Sequence, residues 1–401
     1  MTLNKINIAS LKGKTKADVG FLNRDVAEKV KGFHSSFPQY KETPLVELKN
    51  LSKKLGIKNM FVKDESHRFE LNAFKVLGAS FAIGNYISNK IGVDISELPY
   101  SKMISKEVKE KLGDTTFVTA TDGNHGRGLA WTANQLGQKS KVFMPRGTAA
   151  ERVENIRREN SDVDVYDANY DECVRMANEY ANAHNGVMVQ DTSWEGYEDI
   201  PRWIMQGYMT MANEAYEQLS RLGEKPTHIF LQAGVGSLAS AVTGFFANVY
   251  SDDLPTIVIV EPDKANCVYK TAKADDGQLH NVTGDMDTIM AGLACGEVVT
   301  IGWPILSSYA SYFLSVDEMY AAHGMRVLGN PEKGDNRVIS GESGAVTSGV
   351  ISKLMADEDL KDIREEIGLD ENSVVLAFST EGDTDNKMYR EIVWDGRYPS
   401  Y

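Results

Sequence analysis

Cysteine is scarce: Cys173, Cys267 and Cys295 are the three in a chain of 401 residues. Thiols so few and so far apart make no disulfide framework, and no Cys-x-x-Cys or His-x-x-x-His spacing suggests zinc. No metal is expected, and the sequence leaves a Cys267–Cys295 pair open. Long apolar runs are missing as well; none approaches the roughly 18 residues that cross a bilayer. The opening stretch runs from Met1 into Lys12, Lys14 and Lys16 without the apolar core of a secretory signal. No membrane is expected, and the cytoplasm is the default location. Basic side chains are in deficit, with 43 Lys and Arg against 57 Asp and Glu and a net charge of −14. A protein that neutralises phosphate backbones needs a basic face to release counterions, so nucleic acid is not an expected partner. Pro- or Ser-rich linkers, low-complexity tracts and repeats are also missing, which excludes solenoids and beads on a string.

What is present describes an ordinary folded chain. Hydrophobic residues at 42% and charged residues at 25% are far from a disordered composition, and the length suits two or three domains. Short β-branched runs alternate with helical stretches: 60–63, 116–120, 141–144, 162–166, 228–232, 256–260 and 374–378. Such runs, each followed by a Gly-containing turn or a helical segment, predict buried parallel strands of an α/β protein. Ligands in that architecture sit beyond the carboxyl ends of the strands, so the loops after the runs are the places to search.

Three loops stand out. Gly234-Val235-Gly236-Ser237-Leu238 joins a strand to a good helix. Free backbone N–H groups and the positive end of the helix dipole bind phosphate there, although the same glycines also suit plain tight packing. Asp122-Gly123-Asn124-His125-Gly126-Arg127-Gly128 follows the 116–120 run and sets polar groups among glycines, as a ligand loop or as an N-capped helix start. Ala73-Phe74-Lys75 opens a third helix; taken alone, Lys75 reads as a solvated surface charge.

In order along the chain, Thr43-Pro44-Leu45, Val62-Lys63-Asp64-Glu65, Ala73-Phe74-Lys75, Asp122-Gly123-Asn124-His125-Gly126, the 234–238 loop, Ser343-Gly344-Ala345 and Ser379-Thr380-Glu381-Gly382-Asp383 resemble the fold type II pyridoxal-phosphate enzymes. The resemblance spans about 40 to 390, and the order of the motifs is more specific than any one of them. Three features depart from the common dehydratase pattern. Ala73 and Asp122 stand where serines are usual, and the phosphate loop is leaner in Gly. With 190–197 and 203–208, these forms are similar to the diaminopropionate ammonia-lyases of that group.

The resemblance implies two α/β domains with parallel-rich sheets, residues 70–210 forming a small domain inserted into a large one made of 1–69 and 211–401, and the cofactor in the cleft between them. It implies a homodimer that acts on a small amino-acid substrate, a carbon–nitrogen lyase converting D- and L-2,3-diaminopropionate to pyruvate and two ammonia. Lys75 would carry pyridoxal 5'-phosphate as a Schiff base, which asks for an amine of lowered pKa. Asn124 would meet the cofactor's phenolic oxygen, and the N–H groups of Gly234, Val235, Gly236, Ser237 and Leu238 its phosphate. Ser379 or Thr380 would face the ring nitrogen; a hydroxyl there does not stabilise a protonated ring, which favours prompt loss of a β leaving group. Asp122 or Asp191 would pair with a β-ammonium, with Asp122 also offered as a second base, and Asp191 is equally a turn residue. Glu342 either lines the pocket or caps the next helix. A serine or threonine dehydratase, which has no need of Asp122, a β-replacement synthase and a noncatalytic metabolite-binding protein of the same fold are the rival readings.

Overall fold

The computed structural model describes residues 6–11 and 16–399; Met1, Lys12 and Lys14 lie outside them. Eleven strands run in chain order: β1 (Asn7–Ser10), β2 (Leu45–Glu47), β3 (Asn59–Asp64), β4 (Thr116–Ala120), β5 (Lys139–Met144), β6 (Asp162–Val165), β7 (Val187–Met188), β8 (His228–Gln232), β9 (Thr256–Pro262), β10 (Tyr312–Val316) and β11 (Val374–Ser379). They form a seven-stranded sheet, β1-β10-β9-β8-β11-β3-β2, and a four-stranded one, β6-β5-β4-β7. The five central strands of the large sheet are parallel, and the short edges β1 and β2 are antiparallel. The small sheet is wholly parallel. All seven runs read as strands in the sequence are strands here. β1, β2, β7 and β10 are additions to those runs, and Tyr312–Val316 carried a legible apolar signal.

β8 and β11 are buried along their whole length, because helices cover both faces of the sheet. One face is crossed by the helices Val76–Ile91 and Asp199–Leu222, which share a core with Ser237–Val249. Those first two helices approach closely at a pair of glycines. A Cβ on Gly207 would stand 2.4 Å from the Leu77 carbonyl oxygen, and one on Gly78 would stand 2.6 Å from the Tyr208 ring. That contact brings Tyr208 over the start of the Lys75 helix.

A fully buried ionic network ties β3 to the helix Asp199–Leu222. Glu214 accepts from Lys63 Nζ and Arg68 Nη2, each at 2.7 Å, while Arg68 also binds Glu65 and the Thr43 hydroxyl. Burial works against the Glu214 carboxylate, yet Arg68 and Lys63 hold it well below the usual glutamate range. Glu214→Ala leaves two buried cations short of a partner and should cost about 3–5 kcal/mol in urea unfolding. A depressed native pKa gives stability that is present above the unfolded glutamate value of about 4.3 and is lost as pH falls below it. The difference between the parent and the variant should therefore shrink at acid pH.

Candidate active site

Lys75 stands at the N-terminus of the helix Val76–Ile91, and the strand-to-helix segment before it is pinned to the loop that follows β11. Ala73 bridges Glu381, Phe74 N–H donates to the Thr380 carbonyl at 3.0 Å, and Gly382 N–H donates to the Asn72 carbonyl at 2.9 Å. The amine therefore projects from a fixed base into a cleft of about 510 Å³. Asn124, Asp191, Tyr208, the 233–238 loop, Cys295, Ser343, Thr380 and Glu381 share that cleft.

Lys75 Nζ lies 2.8 Å from Asp191 Oδ2. Asp191 Oδ1 accepts from Tyr170 at 3.1 Å and from Gln190 Nε2 at 3.2 Å, and Ser237 Oγ donates to the Asp191 carbonyl. Asp191 thus lines the cleft and is tied into a hydrogen-bonded network there. Burial disfavours both charges, but each offsets this for the other: Asp191 holds the Lys75 ammonium well above the usual lysine range, and Lys75 holds Asp191 well below the carboxylate range. The carboxylate at ion-pair distance opposes the desolvation that would lower the pKa of the amine.

Asp122 sits on a neighbouring cavity with Arg152, Tyr170, Ala291 and Glu342. Its Oδ2 pairs with Arg152 Nη1 at 3.2 Å. Burial pushes the Asp122 carboxyl up, against the pull of Lys75 and Arg152. Glu342 meets neither reading as offered: it is the first residue of the helix Glu342–Ala356, whose N-cap is Gly341 with no side-chain capping bond, and it lines this second cavity and not the Lys75 cleft. Burial pushes its carboxyl up to about 8, with Arg152 opposing.

Between β8 and the helix Ser237–Val249, Gly236 adopts φ +100°, a conformation an L side chain rarely takes. The turn leaves the N–H groups of Gly234, Val235, Gly236, Ser237 and Leu238 without a protein acceptor among the described residues, and all five residues line the cleft. Unpaired donors beside a helix N-terminus suit a phosphate. The hydroxyl of Tyr208 and Oε1 of Gln232, buried and without a partner, also lie among the cleft residues. The loop N–H groups, the Tyr208 hydroxyl and the Lys75 amine as donors, with Gln232 Oε1 as an acceptor, fit pyridoxal phosphate.

Of the two candidate hydroxyls, Thr380 lines the cleft and its Oγ1 accepts from Gln232 Nε2 at 2.8 Å, which leaves its proton to donate. Ser379 is fully buried and donates to Ser340 Oγ at 2.8 Å, so the structure does not bring it to the cleft. The strand alternation across β11 separates the two. Cys267 and Cys295 are free thiols, raised far above the ordinary thiol range chiefly by burial. Sequence reasoning missed Tyr208, Arg152 and the role of Glu381. Glu381 and Tyr208 stood inside quoted segments without a role, and Arg152 is an ordinary helix residue with no local signal.

Among the described residues, no His, Cys, Asp and Glu cluster is arranged to hold a metal, and no helix is long and apolar enough to cross a membrane. Residues 37–365 match the family described as pyridoxal-phosphate dependent enzyme. The chain is 49% identical to diaminopropionate ammonia-lyase of Salmonella typhimurium over 395 residues, 98% of each chain. The crystal structure of holo diaminopropionate ammonia lyase from Escherichia coli superposes with a TM-score of 0.94 at 45% identity, covering 100% of this chain and 99% of that one. The same Escherichia coli enzyme in complex with D-serine gives 0.93 at 44% identity, with coverage of 100% and 99%. The chain belongs to the diaminopropionate ammonia-lyases, within the fold type II pyridoxal-phosphate enzymes.

Proposed function

We propose that this chain catalyses the pyridoxal-phosphate-dependent α,β-elimination of D- and L-2,3-diaminopropionate, consuming one water and giving pyruvate and two ammonia. The observation that carries this reading is the Lys75–Asp191 pair at 2.8 Å in a cleft whose 234–238 loop offers unpaired N–H groups. Bound pyridoxal phosphate supplies the electron sink for the pair left at Cα, and the protein supplies orientation and charge.

Lys75 would hold the cofactor, and its amine, when free, would take the Cα proton of the L form. Removing the proton of the D form needs a base on the opposite face, and Asp122, which lines the neighbouring cavity, is assigned that role. A β-ammonium in a desolvated site needs a carboxylate. Asp191 is already engaged by Lys75, Tyr170 and Gln190, which favours Asp122 as that partner. Asn124 would meet the phenolic oxygen, the 234–238 N–H groups would hold the phosphate, and the Thr380 hydroxyl would serve the ring nitrogen.

The same reading divides the chain into a large unit, 1–69 with 211–401, and an inserted small unit, 70–210. The two sheets support it, since one draws on 7–64 and 228–379 and the other on 116–188, although the helix Asp199–Leu222 runs unbroken across the second boundary. A homodimer is the assembly the family resemblance implies, and the cytoplasm is the default location. The test is pyruvate release from both enantiomers of 2,3-diaminopropionate, serine and threonine. Diaminopropionate should exceed serine in kcat/KM by at least about 10-fold, the worth of one charge-assisted contact. Equal or better turnover of serine would make the protein a dehydratase.

A further inference from the structure

Glu381 is 1% exposed, lines the Lys75 cleft, and is held on every side by donors. Oε1 accepts from Ser343 N–H at 3.1 Å; Oε2 accepts from Asn124 Nδ2 at 2.6 Å and from Thr384 Oγ1 at 3.2 Å. Arg152 Nη2 stands 3.9 Å from Oε2. The Glu381 backbone bridges Ala73, two residues before Lys75, and its carbonyl accepts from Gly341 N–H at 2.9 Å. Asn124 is the group among its partners assigned to the cofactor.

An asparagine side chain has two N–H donors and one carbonyl, and the two ends differ only in what they are offered. Glu381 decides between them. Turning the Asn124 amide over would set its carbonyl against a buried carboxylate, two acceptors with no proton between them, and would leave both unsatisfied. With one N–H taken by Glu381, the second N–H remains for the cleft that Asn124 lines. We propose that Glu381 is a positioning residue, which acts through Asn124 by fixing the amide that meets the phenolic oxygen of pyridoxal phosphate. The proposal rests on the assignment of Asn124 made above.

A double-mutant cycle tests it, read by titrating cofactor-free protein with pyridoxal phosphate and by the visible absorption maximum of the loaded protein. Glu381→Gln should weaken cofactor affinity about 10-fold when Asn124 is present and less than about 2-fold in the Asn124→Ala background. Its absorption maximum should move in the same direction as that of Asn124→Ala. Glu381→Asp keeps the charge beside Arg152 but withdraws it from Asn124, and should show the same non-additivity; it also carries the cycle if the Gln variant fails to fold. Equal losses in both backgrounds would make Glu381 a structural residue and overturn the proposal. So would an Asn124→Ala variant with unchanged affinity. A parent protein that takes up no pyridoxal phosphate would instead overturn the proposed function.

Discussion

Lys75→Ala is expected to lower turnover of 2,3-diaminopropionate by about 10,000-fold or more and to abolish the borohydride-sensitive visible band of the loaded protein. Anchoring the cofactor and removing the Cα proton of the L form are both asked of one amine, and neither neighbouring group replaces it. The structure adds a consequence for stability. Lys75 is the cation that compensates Asp191, so the variant keeps Tyr170 at 3.1 Å and Gln190 at 3.2 Å as hydrogen-bond partners of a buried carboxylate but loses its counter-charge. A cost of about 3 kcal/mol follows for the broken buried pair, measurable by urea unfolding of the cofactor-free protein. Asp191→Asn on top of Lys75→Ala should recover most of it, because the carboxylate is then gone too. A Lys75→Ala protein that retains band and turnover would place the cofactor on another lysine.

The second large effect separates the enantiomers. Asp122→Asn keeps the shape of the side chain and removes its basicity, so activity on the D form should fall by about 100-fold to 1,000-fold while the L form loses only several-fold, through weaker substrate binding. Arg152 makes the experiment informative. It pairs with Asp122 at 3.2 Å and lies 3.9 Å from Glu381, so the variant's guanidinium keeps a carboxylate neighbour and the site is not left with an unpaired cation. The pH profile gives a second reading. Burial pushes the Asp122 carboxyl above its usual value, against Lys75 and Arg152. A base must be deprotonated to act, so D-form activity should be full above that raised pKa and be lost as pH falls through it, with a midpoint above the ordinary aspartate value of about 3.9. Equal loss of both enantiomers would reduce Asp122 to a binding residue and send the search for the second base to Asp191.

Several features were legible in the order of residues alone. Seven β-branched runs gave the parallel strands, since strands buried on both faces are written as continuous apolar segments. The glycine loop at 234–238 announced a phosphate site because backbone N–H groups need no side chain to specify them, only room and a turn. Lys75, Asp122 and Asn124 came from the succession of motifs, each ambiguous by itself. The antiparallel edges β1 and β2 were not legible, because Asn7-Ile8-Ala9-Ser10 and Leu45-Val46-Glu47 carry no β-branched run that stands out from their flanks.

Tertiary structure decided the rest. Whether Ser379 or Thr380 faces the cleft depends on the pleat of β11, which sends neighbours to opposite sides and is settled only by what each side packs against. The partner of Lys75 was decided by folding for a related reason: the charge within hydrogen-bond reach of a lysine is set in space, and Asp191 is 116 positions away in sequence but 2.8 Å away in the fold. Tyr208 enters through two glycines that let helices touch, and Arg152 and Glu381 through ion pairs between distant segments. Local sequence determined which chemistry the chain carries, because residue types and backbone turns are local properties. The charge, orientation and partner of each group were decided by folding, because electrostatic and hydrogen-bond energies depend on distance through space and not along the chain.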